Sequence, residues 1–277
     1  SKEVATTLGG RFFICDAYPY SFKEYLAAQQ VELMEHWEYD TIQRSEVKRH
    51  LNEYFYYGGL PEILSFKNKR AMLSSLYQKI YLGDICARNN IKNDRVLNIL
   101  IKKMAESVKQ PLSYNRLKNV IVATGSPISV PTTIDYVDYA ADSWLILPME
   151  NEIGKLTEKE MQKKYYFVDN GLLNLFLMNS ETSLLENMVA VELCRRYGKK
   201  NVFFLNAEKE IDFVVPDEKL AIQVSYSIKD ETTYNREVLP LVKYAKAHED
   251  WKCLLITYDE EGTEEEIPVV PVWKWLM

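Results

Sequence analysis

With 277 residues, 47% hydrophobic and 27% charged, the chain has the make-up of a globular protein and more length than one domain of the usual ~100 to 200 residues. No stretch approaches the ~18 consecutive apolar residues of a membrane span, and residues 1–11 lack the basic and apolar regions of a secretory signal, so a soluble cytoplasmic protein is expected. A net charge of −6 opposes nucleic-acid binding by the chain as a whole, and any such role has to be local.

In chain order, Phe12, Phe13, Ile14 and Cys15 form an apolar run with the character of a buried strand. Residues 20–30 then predict a helix, with Ser21 at its cap and Glu24 three positions on as the second half of a capping box. A strand and a helix this early suggest a severed α/β domain. From 33 to 89 the pattern is helical without strand signals, broken once at Tyr57, Gly58, Gly59, Leu60 and Pro61. Adjacent glycines permit positive φ there, and Pro61 can open the next helix, since its missing N–H is one that a first turn leaves unpaired. A helix over 68–88 follows, with Asp84 and Arg88 spaced to pair.

Helices are next predicted at 94–108, 113–122 and 131–141. Asp94 and Ser113 stand where caps belong, and Ser129 or Val130 precedes Pro131. Two strand-like runs, 143–149 and 164–168, are parted by Gly154 and a charged loop. Three helices followed by a two-stranded wing is the order of a winged helix-turn-helix. The remainder alternates: a helix at 184–197, strands at 202–206, 211–215 and 220–226, a helix at 235–248, and strands at 252–258 and 269–276. That is an α/β unit with a mixed sheet. The acidic residues from Asp259 to Glu266 predict a solvated loop between its last strands.

Cys15, Cys86, Cys194 and Cys253 stand singly among apolar or aromatic neighbours, which predicts buried free thiols in a reducing compartment. His36, His50 and His248 are isolated from one another, so no structural metal is expected.

Several runs resemble a known family, the prokaryotic AAA+ ATPases with a C-terminal domain of unknown function and restriction-endonuclease-like fold. They are Leu8-Gly9-Gly10-Arg11 with Pro19 to Tyr25; Gly59-Leu60-Pro61; Tyr81-Leu82-Gly83-Asp84-Ile85; Lys164, Tyr165, Phe167, Asp169 and Gly171; Glu186-Asn187; Glu210 to Phe213; and Ile222-Gln223-Val224. The resemblance implies four units: a C-terminal remnant of the AAA+ core at 1–30, a helical lid at 31–90, a winged helix at 91–170 and a restriction-endonuclease-like domain at 171–277. The implied fold class is multidomain α/β.

ATP hydrolysis needs a glycine-rich phosphate loop with its lysine, and no GxxxxGK[ST] occurs. In the family that loop lies upstream, so the chain is expected to be truncated, to need no cofactor itself, and to meet ATP and Mg²⁺ only through a missing N-terminal half. Arg11 is implied as an arginine finger or charge sensor, against an ordinary surface arginine. Gly59 and Pro61 are implied at the adenine ring, against an ordinary helix-opening turn.

Restriction-like nucleases place an Asp on one strand and Glu-x-Lys on the next, two carboxylates for Mg²⁺ and a lysine for the attacking water. Asp212 fits the first position, with Glu186 as a further carboxylate, while Gln223 and Ser225 replace the acid and the lysine. A nuclease-dead domain follows, with a migrated lysine such as Lys229 as the escape, and Asp212 otherwise a structural carboxylate in its hairpin. The first two helices of the winged unit carry Lys102, Lys103, Arg116 and Lys118, whereas the third carries Asp135, Asp138 and Asp142 and no cation. DNA is therefore disfavoured beside a protein partner. The expected function is a non-catalytic C-terminal region coupling nucleotide state to a protein partner; the alternatives are a metal-dependent nuclease and a DNA-binding adaptor.

Overall fold

The computed structural model describes residues 15–206 and 210–277. Arg11 and the residues 12–14 of the first predicted strand lie outside them. Helix α1 (Phe22–Ala28) carries the capping box read from the sequence: Ser21 Oγ accepts from the Glu24 N–H, and Glu24 Oε2 accepts from the Ser21 N–H at 2.7 Å. Asp40 starts α2 (Thr41–Tyr57) by accepting from the amides of Ile42 and Gln43. Gly58 ends it at φ 76°, and Pro61 opens a short 3-10 turn, Pro61–Ile63. The single helix predicted next is two elements: α3 (Lys69–Lys79), capped by Asn68, continues into a wider π-helical segment, Ile80–Ala87. The predicted pairing of Asp84 with Arg88 is not among the ion pairs of the described residues.

Helices α4 (Asp94–Glu106), α5 (Tyr114–Ala123) and α6 (Val130–Asp142) follow close to the predicted bounds. Ser113 and Ser129 cap α5 and α6 through the amides of Arg116 and Thr132. Asp94 does not cap α4; it is the first helical residue, and Asn93 before it makes no side-chain cap bond. The small sheet has a third strand beyond the two predicted. β1 (Leu112–Ser113) and β2 (Ile146–Met149) flank β3 (Gln162–Phe167), both antiparallel to it, with α7 (Leu156–Met161) in the connection.

After α8 (Asn170–Asn174) and α9 (Glu181–Tyr197) comes a six-stranded mixed sheet. Its strands are β4 (Phe203–Asn206), β5 (Glu210–Val215), β6 (Leu220–Ser225), β7 (Lys252–Thr257), β8 (Gly262–Glu264) and β9 (Ile267–Pro271), in the order β4-β5-β6-β7-β9-β8. The first three are antiparallel neighbours, whereas β6 to β7 and β7 to β9 are parallel. Helix α10 (Glu231–Ala247) makes the crossover that a parallel β6–β7 pair requires. Two predictions are corrected here. The last strand stops at Pro271, which has no N–H to donate to a ladder, and the chain turns into α11 (Val272–Trp275). The acidic run is not loop throughout, since Gly262–Glu264 forms β8 against β9.

In β5, Phe213 and Val215 join one apolar cluster and Ile211 and Val214 another, a split that simple alternation does not give and that accompanies a register shift against β4. The larger cluster continues without a break from Phe22 and Leu51 through Leu97, Ile146 and Val189 to Trp273. The predicted segments are thus packed on a shared core and not strung on linkers. Of the cysteines only Cys86 and Cys194 are buried; Cys253 is half-buried and Cys15 exposed, against the expectation of four buried thiols.

Candidate functional site

In β3, Lys164 lies opposite Met149 and directs its side chain onto α9 and β5. Its ammonium is wholly buried, at 3.0 Å from Glu210 Oε1, 3.2 Å from Glu186 Oε1 and 3.6 Å from Asp212 Oδ1. Each element supplies its group for a local reason. Glu186 projects from a stretch of α9 that is buried on every side, and Phe213 facing Ile222 in the ladder sets Asp212 beside Gln223. The phenol of Tyr166, two residues along β3, donates to the same Glu186 oxygen at 2.8 Å. The Phe204 ring lies 5.6 Å from the ammonium.

Burial, and next the Glu186 carboxylate, push Asp212 well above the usual carboxylate range; Lys164 and the Val224 N–H oppose the shift without cancelling it. Burial acts to lower Lys164, but Glu186, Asp212 and Glu210 outweigh it and hold the ammonium above the ordinary lysine range. The neighbouring amide is pinned from both ends: Gln223 Oε1 accepts from the Asp212 N–H at 3.2 Å and Gln223 Nε2 donates to Glu237 Oε2 at 2.7 Å. Asp212 Oδ2 accepts from the Val224 N–H, and Ser225 Oγ is turned to the Ser227 carbonyl. Above this floor opens a cleft of about 700 Å³, lined by Glu186, Asp212, Gln223, Ser225 and Glu237, with Lys109 at its wall.

These residues do not fit a divalent ion while Lys164 is in place. A cation already occupies the space between Glu186, Glu210 and Asp212, and a neutral amide stands where a second strand carboxylate would be needed. Nor can Lys164 serve as a general base, because its nitrogen is kept charged and out of solvent.

Over its full length the chain is 31% identical to an uncharacterized protein of Haemophilus influenzae, of which it covers 68%. It belongs to the family of that protein. An uncharacterized protein of Methanocaldococcus jannaschii is similar to the same degree, 31% identical over 99% of this chain and 66% of its own length. The chain thus spans about two thirds of each relative. A domain of unknown function, DUF8612, matches residues 48–183, a span that contains Gly59, Lys164 and Asp169 but neither Glu186 nor Asp212. No solved structure matches the chain.

Of the residues singled out in the sequence, Glu186, Asp212, Gln223 and Ser225 meet at one cleft. Lys229 is exposed on the loop after β6 and does not line it. Lys164, Tyr166, Glu210 and Glu237 were missed as site residues. Lys164 stood in a matched run, but nothing local in it signals a partner 48 residues further on in Asp212. Gly59 has both backbone groups engaged inside the protein, its N–H to Asp169 Oδ2 at 2.7 Å and its carbonyl to the Tyr20 N–H at 2.8 Å, while Pro61 is exposed beside it. Arg11 lies outside the described residues. The four candidate DNA cations do not make one face: Lys102 is exposed on α4, Lys103 pairs with Glu106 at 3.3 Å, and Arg116 and Lys118, two apart on α5, point apart.

Proposed function

We propose that the chain is the non-catalytic C-terminal region of an AAA+ type ATP-binding protein, in which a winged helix and a nuclease-like domain pass the nucleotide state of the remaining part to a protein partner. One observation carries the non-catalytic reading. The Lys164 ammonium fills the centre of the carboxylate set in which a nuclease of this type would hold its metal. The winged-helix reading is supported by the sheet order β1-β3-β2 behind three helices, and the nuclease-like reading by an αβββαβ succession from α9 to β7 with the carboxylates on α9 and β5. ATP and Mg²⁺ belong to the remaining part; about a third of each relative's length lies beyond the match. A protein partner is favoured over DNA because α6 presents Asp135 and Asp142 and no cation.

Calorimetry with Mg²⁺ and Mn²⁺, run beside cleavage assays on single- and double-stranded DNA, tests this. The purified chain is expected to give neither binding heat nor cleavage, and no ATP turnover of its own.

A second reading is a metal-dependent nuclease, favoured by the place of Asp212 on β5 beside the Gln223 strand, with Glu186 at the same cleft. Metal binding that disappears in Asp212→Ala together with DNA cleavage would establish that reading and overturn the first.

A further inference from the structure

Helix α4 buries Val96, Leu97, Leu100 and Ile101 and leaves a different row of side chains beside the π-helical segment. Arg95, Ile99 and Lys102, at i, i+4 and i+7, fall on one face, and Tyr81 and Leu82 of that segment lie across from them. The Tyr81 phenol donates to the Asp94 carbonyl and so fixes the two elements against each other. Between them is an open groove of about 550 Å³.

The groove is apolar in its middle and cationic at its ends. Ile99 is half-buried, and Leu82 keeps 51% of its surface in solvent, so apolar area is left to cover. Among the described residues neither Arg95 nor Lys102 has an ion pair or a side-chain hydrogen bond, whereas Lys103 beside them is paired with Glu106. Lys79, Arg88 and Lys92 are exposed nearby, so that residues 78–102 carry five cations against two carboxylates, Asp84 and Asp94, in a chain whose net charge is −6. Gly83, next to Leu82, meets nothing within 4 Å of a built Cβ. Packing within the chain therefore gives no reason for a glycine there, although glycine is disfavoured inside a helix, and bare backbone stays open beside the exposed leucine.

On the protein-partner reading above, we propose that this groove docks an acidic segment of the partner, with an apolar side chain between two carboxylates about 10 Å apart, the rise of α4 from Arg95 to Lys102. The apolar side chain covers Leu82 and Ile99, and the carboxylates meet Arg95 and Lys102, a charge match that speeds and orients docking. DNA fits the groove less well. Leu82 and Ile99 offer nothing to a phosphate, and Asp94 lies in the groove wall. The segment between β2 and β3, which would reach DNA if it were a wing, is tied to β4: the Glu152 N–H donates to the Phe204 carbonyl at 2.8 Å, and the Asn206 N–H to Asn151 Oδ1 at 3.0 Å.

A phage-displayed library of random peptides, panned on the purified whole chain at low salt, reads the specificity of the groove. Enriched peptides are expected to carry paired Asp or Glu around Leu, Ile or Phe. A synthetic copy of the strongest, followed by fluorescence anisotropy, should bind at least roughly tenfold more weakly to Arg95→Glu/Lys102→Glu and to Leu82→Gln, and more weakly to the parent as salt is raised. All three positions are exposed, and thermal melts check that the variants stay folded. Lys23→Glu/Lys243→Glu, the same change of net charge at exposed sites elsewhere, should bind like the parent. No enrichment, enrichment of peptides without acidic residues, equal loss in the Lys23/Lys243 control, or displacement of the peptide by a short DNA duplex overturns the proposal. Metal binding or cleavage by the parent chain would instead overturn the non-catalytic reading. A chain that neither cleaves DNA nor takes up acidic peptides leaves that reading standing and removes the groove from it.

Discussion

Lys164 Nζ lies 3.2 Å from Glu186 Oε1, joining β3 of the small sheet to the long helix α9 that carries the mixed sheet, with both side chains buried. Such a pair is costly to halve. Lys164→Met removes the cation and leaves Glu186 and Asp212 without it in the interior, and a loss of about 3–5 kcal/mol in urea unfolding is expected. The double variant Lys164→Met/Glu186→Gln should recover part of that loss, since the abandoned charge is gone. If the single variant were as stable as the parent, the ammonium would not be what holds the carboxylates in place.

Asp169 makes the chain's stability depend on pH with a definite sign. Its carboxyl sits at about 6 in the folded protein, chiefly through burial, above the ~3.9 of an unfolded chain. Between those values the native state binds more protons than the unfolded one, so this group's contribution is complete below pH ~3.9 and is lost as pH rises through 6. The loss amounts to roughly 3 kcal/mol. Chemical denaturation at pH 4 and pH 7 should therefore show the difference between parent and Asp169→Asn moving against the parent at the higher pH. A difference constant over that interval would mean that Asp169 titrates alike in both states.

Gly59 and Gly171 stand where backbone meets backbone, whereas Gly83 stands in open space. Gly59→Ala and Gly171→Ala drive a methyl group into a main-chain carbonyl, and each should cost about 1–3 kcal/mol or more. Gly83 in the π-helical segment has nothing within 4 Å of a built Cβ, so Gly83→Ala should instead gain about 0.5–1 kcal/mol. Thermal melts of the three variants check the order. A neutral Gly59→Ala would leave that glycine free for a role at a nucleotide and remove the mechanical reason for it.

What the sequence disclosed and what it withheld follow from the range of the interactions. Ser21 with Glu24 and Ser113 were legible as caps because each partner lies within three residues, and Ser129 was one of the two residues read before Pro131. β5 and β6 were legible because each is a short run rich in Val, Ile and Phe, and with them came Asp212 beside Gln223. β1 was not, since two residues carry no period and their partners, Gln162 and Lys163, lie about fifty residues on. Lys164 is the instructive miss. A lysine at the head of the aromatic run Tyr165–Phe167 signals only that its charge must end somewhere, and the somewhere was in α9 and β5. The Pro271 boundary was readable in principle from the missing N–H, but the apolar residues beyond it suit a strand and a buried helix equally.

The four thiols, alike in composition, should separate sharply in reactivity. Nucleophilic attack on a disulfide reagent needs a thiolate that is also reachable. Cys194 is buried in α9 and burial pushes its thiol up to about 12; Cys253, half-buried in β7, is pushed to about 11 for the same reason. Cys86, buried in the π-helical segment, is raised by burial and by Asp94. Cys15 alone is exposed. At pH 8 the native chain should thus give one fast thiol with an aromatic disulfide reagent, and Cys15→Ser should abolish it. Cys194 and Cys253 should react at least roughly 100-fold more slowly until urea unfolds the chain, because thiols so raised are ionised that much less, and buried Cys86 should also lag behind Cys15. Rapid labelling of Cys194 in the native protein would mean that α9 opens from the small sheet far more readily than the Lys164–Glu186 pair permits.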